Sequence, residues 1–144
     1  MKQLSMLLIA TCLSVTAFCQ QESDKILGHW LSEDKDGKIE VYKNGDKYYG
    51  KLVWASKMYE ADGKTSRKDD KNTNADLRNR NLKDLVILTG FTYDDGSYTG
   101  GKIYDPKNGK TYSCNMTLKG ETLNIRGYIG ISLLGRTTVW TRVK

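Results

Sequence analysis

One histidine, one proline and three cysteines are all that this 144-residue chain has of three residue types that often punctuate or activate a fold. The lone His29 has no second His or Cys at ligand spacing, which excludes a His/Cys zinc site. Between Gly28 and Trp30 on a strand it faces the opposite side from the Trp, and it has no orienting partner that a general base would need. The single proline, Pro106, falls in a turn, Asp105-Pro106-Lys107-Asn108-Gly109. Two cysteines, Cys12 and Cys19, lie in an apolar leader, so its removal leaves Cys114 alone and no intramolecular disulfide. There is no Gly-x-Ser-x-Gly elbow. Asp34-Lys35-Asp36-Gly37 lacks the third oxygen ligand and closing Glu of a calcium loop and reads as a solvated turn. Catalysis by two carboxylates stays open, because such pairs need not be close in sequence. No metal or other cofactor is implied.

Residues 1–19 have the form of a secretory signal peptide. Lys2 gives the basic start, Leu4 to Val15 the apolar stretch, and Ala17-Phe18-Cys19 a cleavage site before Gln20. Acylation at Cys19 is the alternative, but Phe18 occupies the place where that processing wants a small residue. No other apolar run is long enough to span a bilayer as a helix. An exported, periplasmic or extracellular domain over residues 20–144 follows, large enough to bury a core unaided. The formal net charge of +6 includes Lys2 and is spread along the chain. Lys64 to Lys71 mixes both signs and reads as a solvated loop. Nucleic acid is an improbable partner for an exported protein, and anionic envelope components are the electrostatic match.

What the chain has in plenty is strand signal. Eight runs, Ile26–Ser32, Lys38–Lys43, Lys47–Ala55, Leu85–Tyr93, Ser97–Tyr104, Lys110–Leu118, Glu121–Tyr128 and Arg136–Val143, are divided mostly by turn residues. Asn44-Gly45-Asp46 carries a type I′ hairpin signal. Lys110–Leu118 alternates cleanly, with Tyr112, Cys114, Met116 and Leu118 on one face, which makes Cys114 a buried small hydrophobe. Leu85 to Phe91 is apolar on both faces and calls for a cover, either the preceding connection or a partner. That connection, residues 56–84, is too long to be featureless. Thr73 or Asn74 could cap a short helix over Ala75–Lys83 that turns Leu77 and Leu82 inward and closes one end of the barrel or lies over the fourth strand. The expected fold is all-β: an eight-stranded antiparallel meander closed into a barrel, with one short helix between strands three and four.

Gly130-Ile-Ser-Leu-Leu-Gly135-Arg136-Thr137 has the spacing of a phosphate-binding loop, with Arg in place of Lys. That loop needs a following helix, and here a β-branched, aromatic run follows; a strand–loop–strand corner is the reading.

Two resemblances add to this. Gly28-His29-Trp30, with Arg142 near the end of the last strand, is similar to the Gly-x-Trp signature of lipocalins. That resemblance implies an indole closing the barrel base under a stacked guanidinium. Gly100 to Tyr112, Arg126 to Arg136, Val139 to Arg142 and the Asn74…Leu82 stretch resemble the exported bacterial family called domain of unknown function 2147, with Ala75 where Pro is expected. This implies a fold and an exported location but no reaction.

Aromatics are the remaining lead: nine Tyr and three Trp. An eight-stranded barrel is just wide enough to be packed solid or to hold one small ligand. Non-catalytic binding of a small apolar or anionic amphipathic molecule is the expected function, with Tyr48, Trp54, Tyr104, Arg126, Tyr128 and Trp140 as candidate ligand residues. Gly28, Trp30 and Arg142 are candidates for structural closure. Arg126 shares a face with Asn124 and Tyr128, so it meets an anionic head group if that face points inward and is a surface charge if it points outward. The rival reading is a solidly packed barrel that docks on envelope proteins or lipids through the outer face of strand four.

Overall fold

Turn chemistry sets the fold, and the computed structural model describes it for residues 22–144. Asn44 ends β2 (Gly37–Asn44) and pairs with Lys47, the first residue of β3 (Lys47–Ala55). The loop is therefore Gly45-Asp46, with only Gly45 at positive φ, as in a type II′ turn and not the type I′ turn expected. The type I′ corner occurs instead between β4 (Val86–Asp94) and β5 (Ser97–Asp105), where Asp95 and Gly96 both have positive φ. These corners, with β1 (Gly28–Ser32), β6 (Lys110–Lys119), β7 (Thr122–Tyr128) and β8 (Arg136–Val143), give a closed antiparallel meander in the order β1 to β8. Closure is by β1 against β8, with Trp30 opposite Arg142 and Ser32 opposite Trp140. A barrel so closed leaves the sheet without a free edge along those paired residues.

The meander places the β2–β3, β4–β5 and β6–β7 hairpins at one end, called the base. The β1–β2, β3–β4, β5–β6 and β7–β8 connections lie at the other, called the mouth. Between them the interior is filled. Trp30, Ile39, Tyr48, Leu88, Phe91, Tyr98, Met116, Leu123 and Ile125 expose 1% or less of their surface. A void able to hold water would leave accessible surface on the side chains around it. Phe91 lies on Gly101, where a Cβ would fall 2.5 Å from its ring. Cys114 is buried in this core, and burial pushes its thiol up to about 12.

Strand four needs no external cover. The pairing of β3 with β4 shifts register at Gly50, and the consecutive Ile87 and Leu88 both join the core while Val86 remains 37% exposed. A bulge sets two residues against one and permits this.

The expected helix over residues 75–83 is only a 3-10 turn, Ala75–Leu77, capped by the Asn74 side chain, which accepts from the Asp76 amide. Beyond it the backbone leaves helical geometry to pair with the same connection: Asp69 N–H donates to Arg80 O and Leu82 N–H to Arg67 O. So short a helix is marginal by itself, and these bonds outcompete it. Leu82 packs on the core as expected. The connection lies across the mouth, where Met58 is fully buried. It also touches the β5–β6 turn so closely that a Cβ on Gly109 would fall within bonding distance of the Lys71 carbonyl, 1.8 Å. Asp69, read above as part of a solvated loop, is 1% exposed.

Candidate functional site

The base is a structural plug. A 3-10 turn, Asp24–Ile26, enters it just before β1, and five long side chains from separate strands hold it. Trp30 Nε1 donates to Ile26 O at 2.9 Å, and Tyr98 Oη to Ser23 O at 2.7 Å. Tyr48 Oη donates to Asp24 Oδ1 at 2.5 Å, and Lys43 Nζ reaches the same oxygen at 2.9 Å. These bonds, Tyr48 first, hold the Asp24 carboxyl below its usual range. Arg142 Nη1 and Nη2 donate to Leu27 O and Lys25 O, while its guanidinium lies 4.3 Å from the centre of the Trp30 indole. A Cβ on Gly28 would sit 3.1 Å from Arg142 Nη1. The three closure residues thus meet at one point.

The six candidate ligand residues do not. Tyr48 is buried at the base with its hydroxyl taken by Asp24. Trp54 is 39% exposed on β3. Tyr104 donates to the buried Asp69 at the mouth. Trp140 packs on the core and donates to Thr138 Oγ1. Tyr128 is half-buried at the end of β7. Arg126 lies on the outer face, between the buried Ile125 and the half-buried Gly127. Residue type alone proposed the set; the interior's complete filling separates its members.

The mouth is closed by polar chemistry. Asp69 accepts from Tyr104 Oη at 2.5 Å, Arg80 Nη2 at 2.8 Å and Asn72 Nδ2 at 2.9 Å. Burial raises its carboxyl pKa, but these three donors together outweigh burial and hold it below the usual value. Tyr104 moves the opposite way, to about 12, through burial and then its bond to Asp69. The carboxylate is ionised and the phenol keeps its proton.

Outside the barrel, at the same end, the chain does something unusual. In the loop from β7 to β8, Ile129, Ile131, Leu133 and Leu134 are 73%, 57%, 83% and 79% exposed. This is the segment with phosphate-loop spacing; it forms a 3-10 turn, Ser132–Leu134, and no helix follows it. Arg126 holds it in place: Nε donates to Ser132 O at 2.7 Å, Nη2 to Leu133 O at 3.4 Å, and Nη1 to Thr137 Oγ1 at 2.8 Å. Gly135 lets the loop fold back on β7, since a Cβ there would lie 2.6 Å from Gly127 O. Beneath the loop a groove of about 330 Å³ opens over the outer faces of β5 to β8. Ser97, Thr99, Asn115, Thr117, Asn124 and Arg126 form its floor, and Ser132 and Thr137 its rim. A hollow of about 240 Å³ at the base lies beside Glu22 and Lys25, which pair with each other. Sequence reasoning singled out Arg126 but missed the exposed aliphatics, whose signal was an Ile-Ser-Leu-Leu run inside a loop.

The chain is similar to the protein HP1028 from Helicobacter pylori, whose solved structure is described as belonging to the lipocalin family. Identity is 27%, the TM-score is 0.72, and the match covers 83% of this chain and 84% of that one. The comparison with curated proteins gives no match. Residues 28–142 match the family model described as "Uncharacterized protein conserved in bacteria (DUF2147)". With a lipocalin-like barrel and a match from the Gly28 of its first strand to the Arg142 of its last, the chain belongs to that DUF2147 family.

Proposed function

We propose that this protein is an exported, non-catalytic binding module whose barrel is a scaffold and whose working surface is the β7–β8 loop, docking on a lipid surface outside the cytoplasm. The observation that carries this reading is the exposure of four aliphatic side chains on a loop that Arg126 fastens. Contiguous apolar surface on a soluble domain marks an interaction site. Transfer of each such side chain out of water is worth ~1.5–3 kcal/mol when burial is complete. Four in a short loop suit reversible attachment. The choice of a bilayer follows from shape and charge. An exposed aliphatic loop suits a fluid surface better than a shaped pocket. Arg126 and Arg136, which flank it, have no carboxylate partner among the described residues. Cations beside apolar side chains match an anionic interface.

The test is flotation with phosphatidylglycerol-containing vesicles. The wild type should co-float, and the double variant Leu133→Asp, Leu134→Asp should stay at the bottom with an unchanged melting temperature. Equal flotation of both proteins would remove the loop from the reading. The likeness to a protein of the lipocalin family favours a second reading, a small apolar ligand within the barrel, which requires Phe91 or its neighbours to move aside. Native mass spectrometry on protein isolated gently from its own envelope checks it: a stoichiometric small-molecule adduct retained by the double variant would favour the interior.

A further inference from the structure

The groove beside the loop has a chemistry that the loop does not require. On the outer sheet face Asn115 stands opposite Arg126, and Arg126 opposite Thr137. In the next row Ser97 stands opposite Thr117, and Thr117 opposite Asn124. Such cross-strand neighbours share one surface. None of Ser97, Thr99, Asn115, Thr117 or Asn124 has a side-chain partner among the described residues. Arg126 uses three N–H groups on two carbonyls and a hydroxyl, all neutral acceptors. A guanidinium has five, so among the described residues one hydrogen on each terminal nitrogen stays free, and its charge is unmatched. Five unused hydroxyl or amide groups and one uncompensated cation thus converge on about 330 Å³ of open space.

We infer that this groove is a head-group subsite for an anionic polyol amphiphile, a lipid whose phosphate is followed by a hydroxylated group. The free N–H groups of Arg126 meet the phosphate as charge-assisted hydrogen bonds. Asn115, Thr117 and Asn124 exchange hydrogen bonds with the polyol hydroxyls, for which side chains that both donate and accept are suited. A lipid is the source because the same guanidinium fixes Ser132 and Leu133, and so places the acyl-side surface beside the head-group pocket. The inference rests on the membrane reading of the loop and adds the head-group class.

Amide chemical-shift mapping with the soluble head group glycerophosphoglycerol tests it, alongside vesicle flotation. Shifts should centre on Asn115, Thr117, Asn124 and Arg126, and glycerol alone should give none. Asn115→Asp sets a carboxylate opposite Arg126 and leaves the three acceptors of the loop clamp, on Ser132, Leu133 and Thr137, in place. It should weaken the probe by at least about tenfold and lower flotation on phosphatidylglycerol vesicles; Asn124→Asp is the second variant should the first fold poorly. Shifts elsewhere, or none, or equal binding by both variants, would overturn the head-group subsite. Leu133- and Leu134-dependent flotation would in that case leave the membrane reading standing. Probe binding in the groove with flotation insensitive to Asn115→Asp would make the ligand a free phosphorylated polyol and overturn the lipid assignment.

Discussion

Two arginines perform the same local task at opposite ends of this barrel, with opposite consequences. Arg142, at the base, donates to the carbonyls of Lys25 and Leu27 and so clamps a turn whose Ile26 is fully buried. Arg126, at the mouth, donates to the carbonyls of Ser132 and Leu133 and so clamps a turn whose leucines are about four-fifths exposed. The first guanidinium also lies over Trp30 and pairs with Glu121. The second has neither ring nor carboxylate partner among the described residues. Fixing a buried turn contributes to stability. Fixing an exposed apolar turn contributes none by burial, because the side chains it presents remain in water. The same guanidinium–carbonyl motif therefore separates a structural end from a working end, and the separation is open to direct attack.

The largest effect belongs to the base. Trp30→Ala removes the fully buried indole, its bond to Ile26 O and the surface under Arg142. Phe or Trp to Ala in a core costs about 3–5 kcal/mol. For a domain of this size that is a fall in melting temperature of more than about 10 °C by calorimetry. A shift below about 2 °C would remove the base from its structural role.

How much of this was legible beforehand depends on the kind of signal. Strand positions and closure by Gly28, Trp30 and Arg142 could be read because turn residues and side-chain alternation are local, and the Gly-x-Trp resemblance named the partners. Tyr48 and Trp140 were assigned to a ligand by residue type, yet whether an eight-stranded interior is full depends on how side chains from every strand interdigitate. Phe91 over Gly101 is such a contact, and neither residue announces the other. The Arg126 face could be drawn but not its direction. Asp69 was hidden most thoroughly: it sits in a run of exposed charges and is buried only because Tyr104 and Arg80 arrive from elsewhere.

An intermediate effect belongs to that mouth network. Asp69→Asn keeps the shape but loses the charge that Arg80 and Tyr104 address, at about 1–3 kcal/mol. Its pH dependence has a definite sign. The folded carboxyl pKa is below the unfolded value near 3.8, so its contribution is complete above that value. It is lost as pH falls through the lower folded pKa. Acid titration of the wild type should show this loss below about pH 4, and the variant should show a shallower one. Asp24, Asp36 and Asp62, also held low, add to the slope in both proteins. Equal acid profiles would mean that the mouth is not held by Asp69.

The smallest effect on stability is the sharpest test of the two arginines. Arg142→Met removes a cation–π contact of about 0.5–2 kcal/mol together with hydrogen bonds to a buried turn, and should lower the melting temperature by several degrees. Arg126→Met removes hydrogen bonds to an exposed turn, where substitutions usually stay within about 0.5 kcal/mol, so its melting temperature should barely move. Hydrogen exchange separates the two further. In Arg126→Met, amides of residues 129–135 should exchange faster while the barrel strands keep their protection, because local opening of this loop needs no global unfolding. In Arg142→Met, protection should fall across β1 and β8 together, since both meet at the base. If Arg126→Met instead lowered protection throughout, the loop would be part of the folded core's own support, and its aliphatics would be exposed as a by-product of structure and not as a surface held out for a partner.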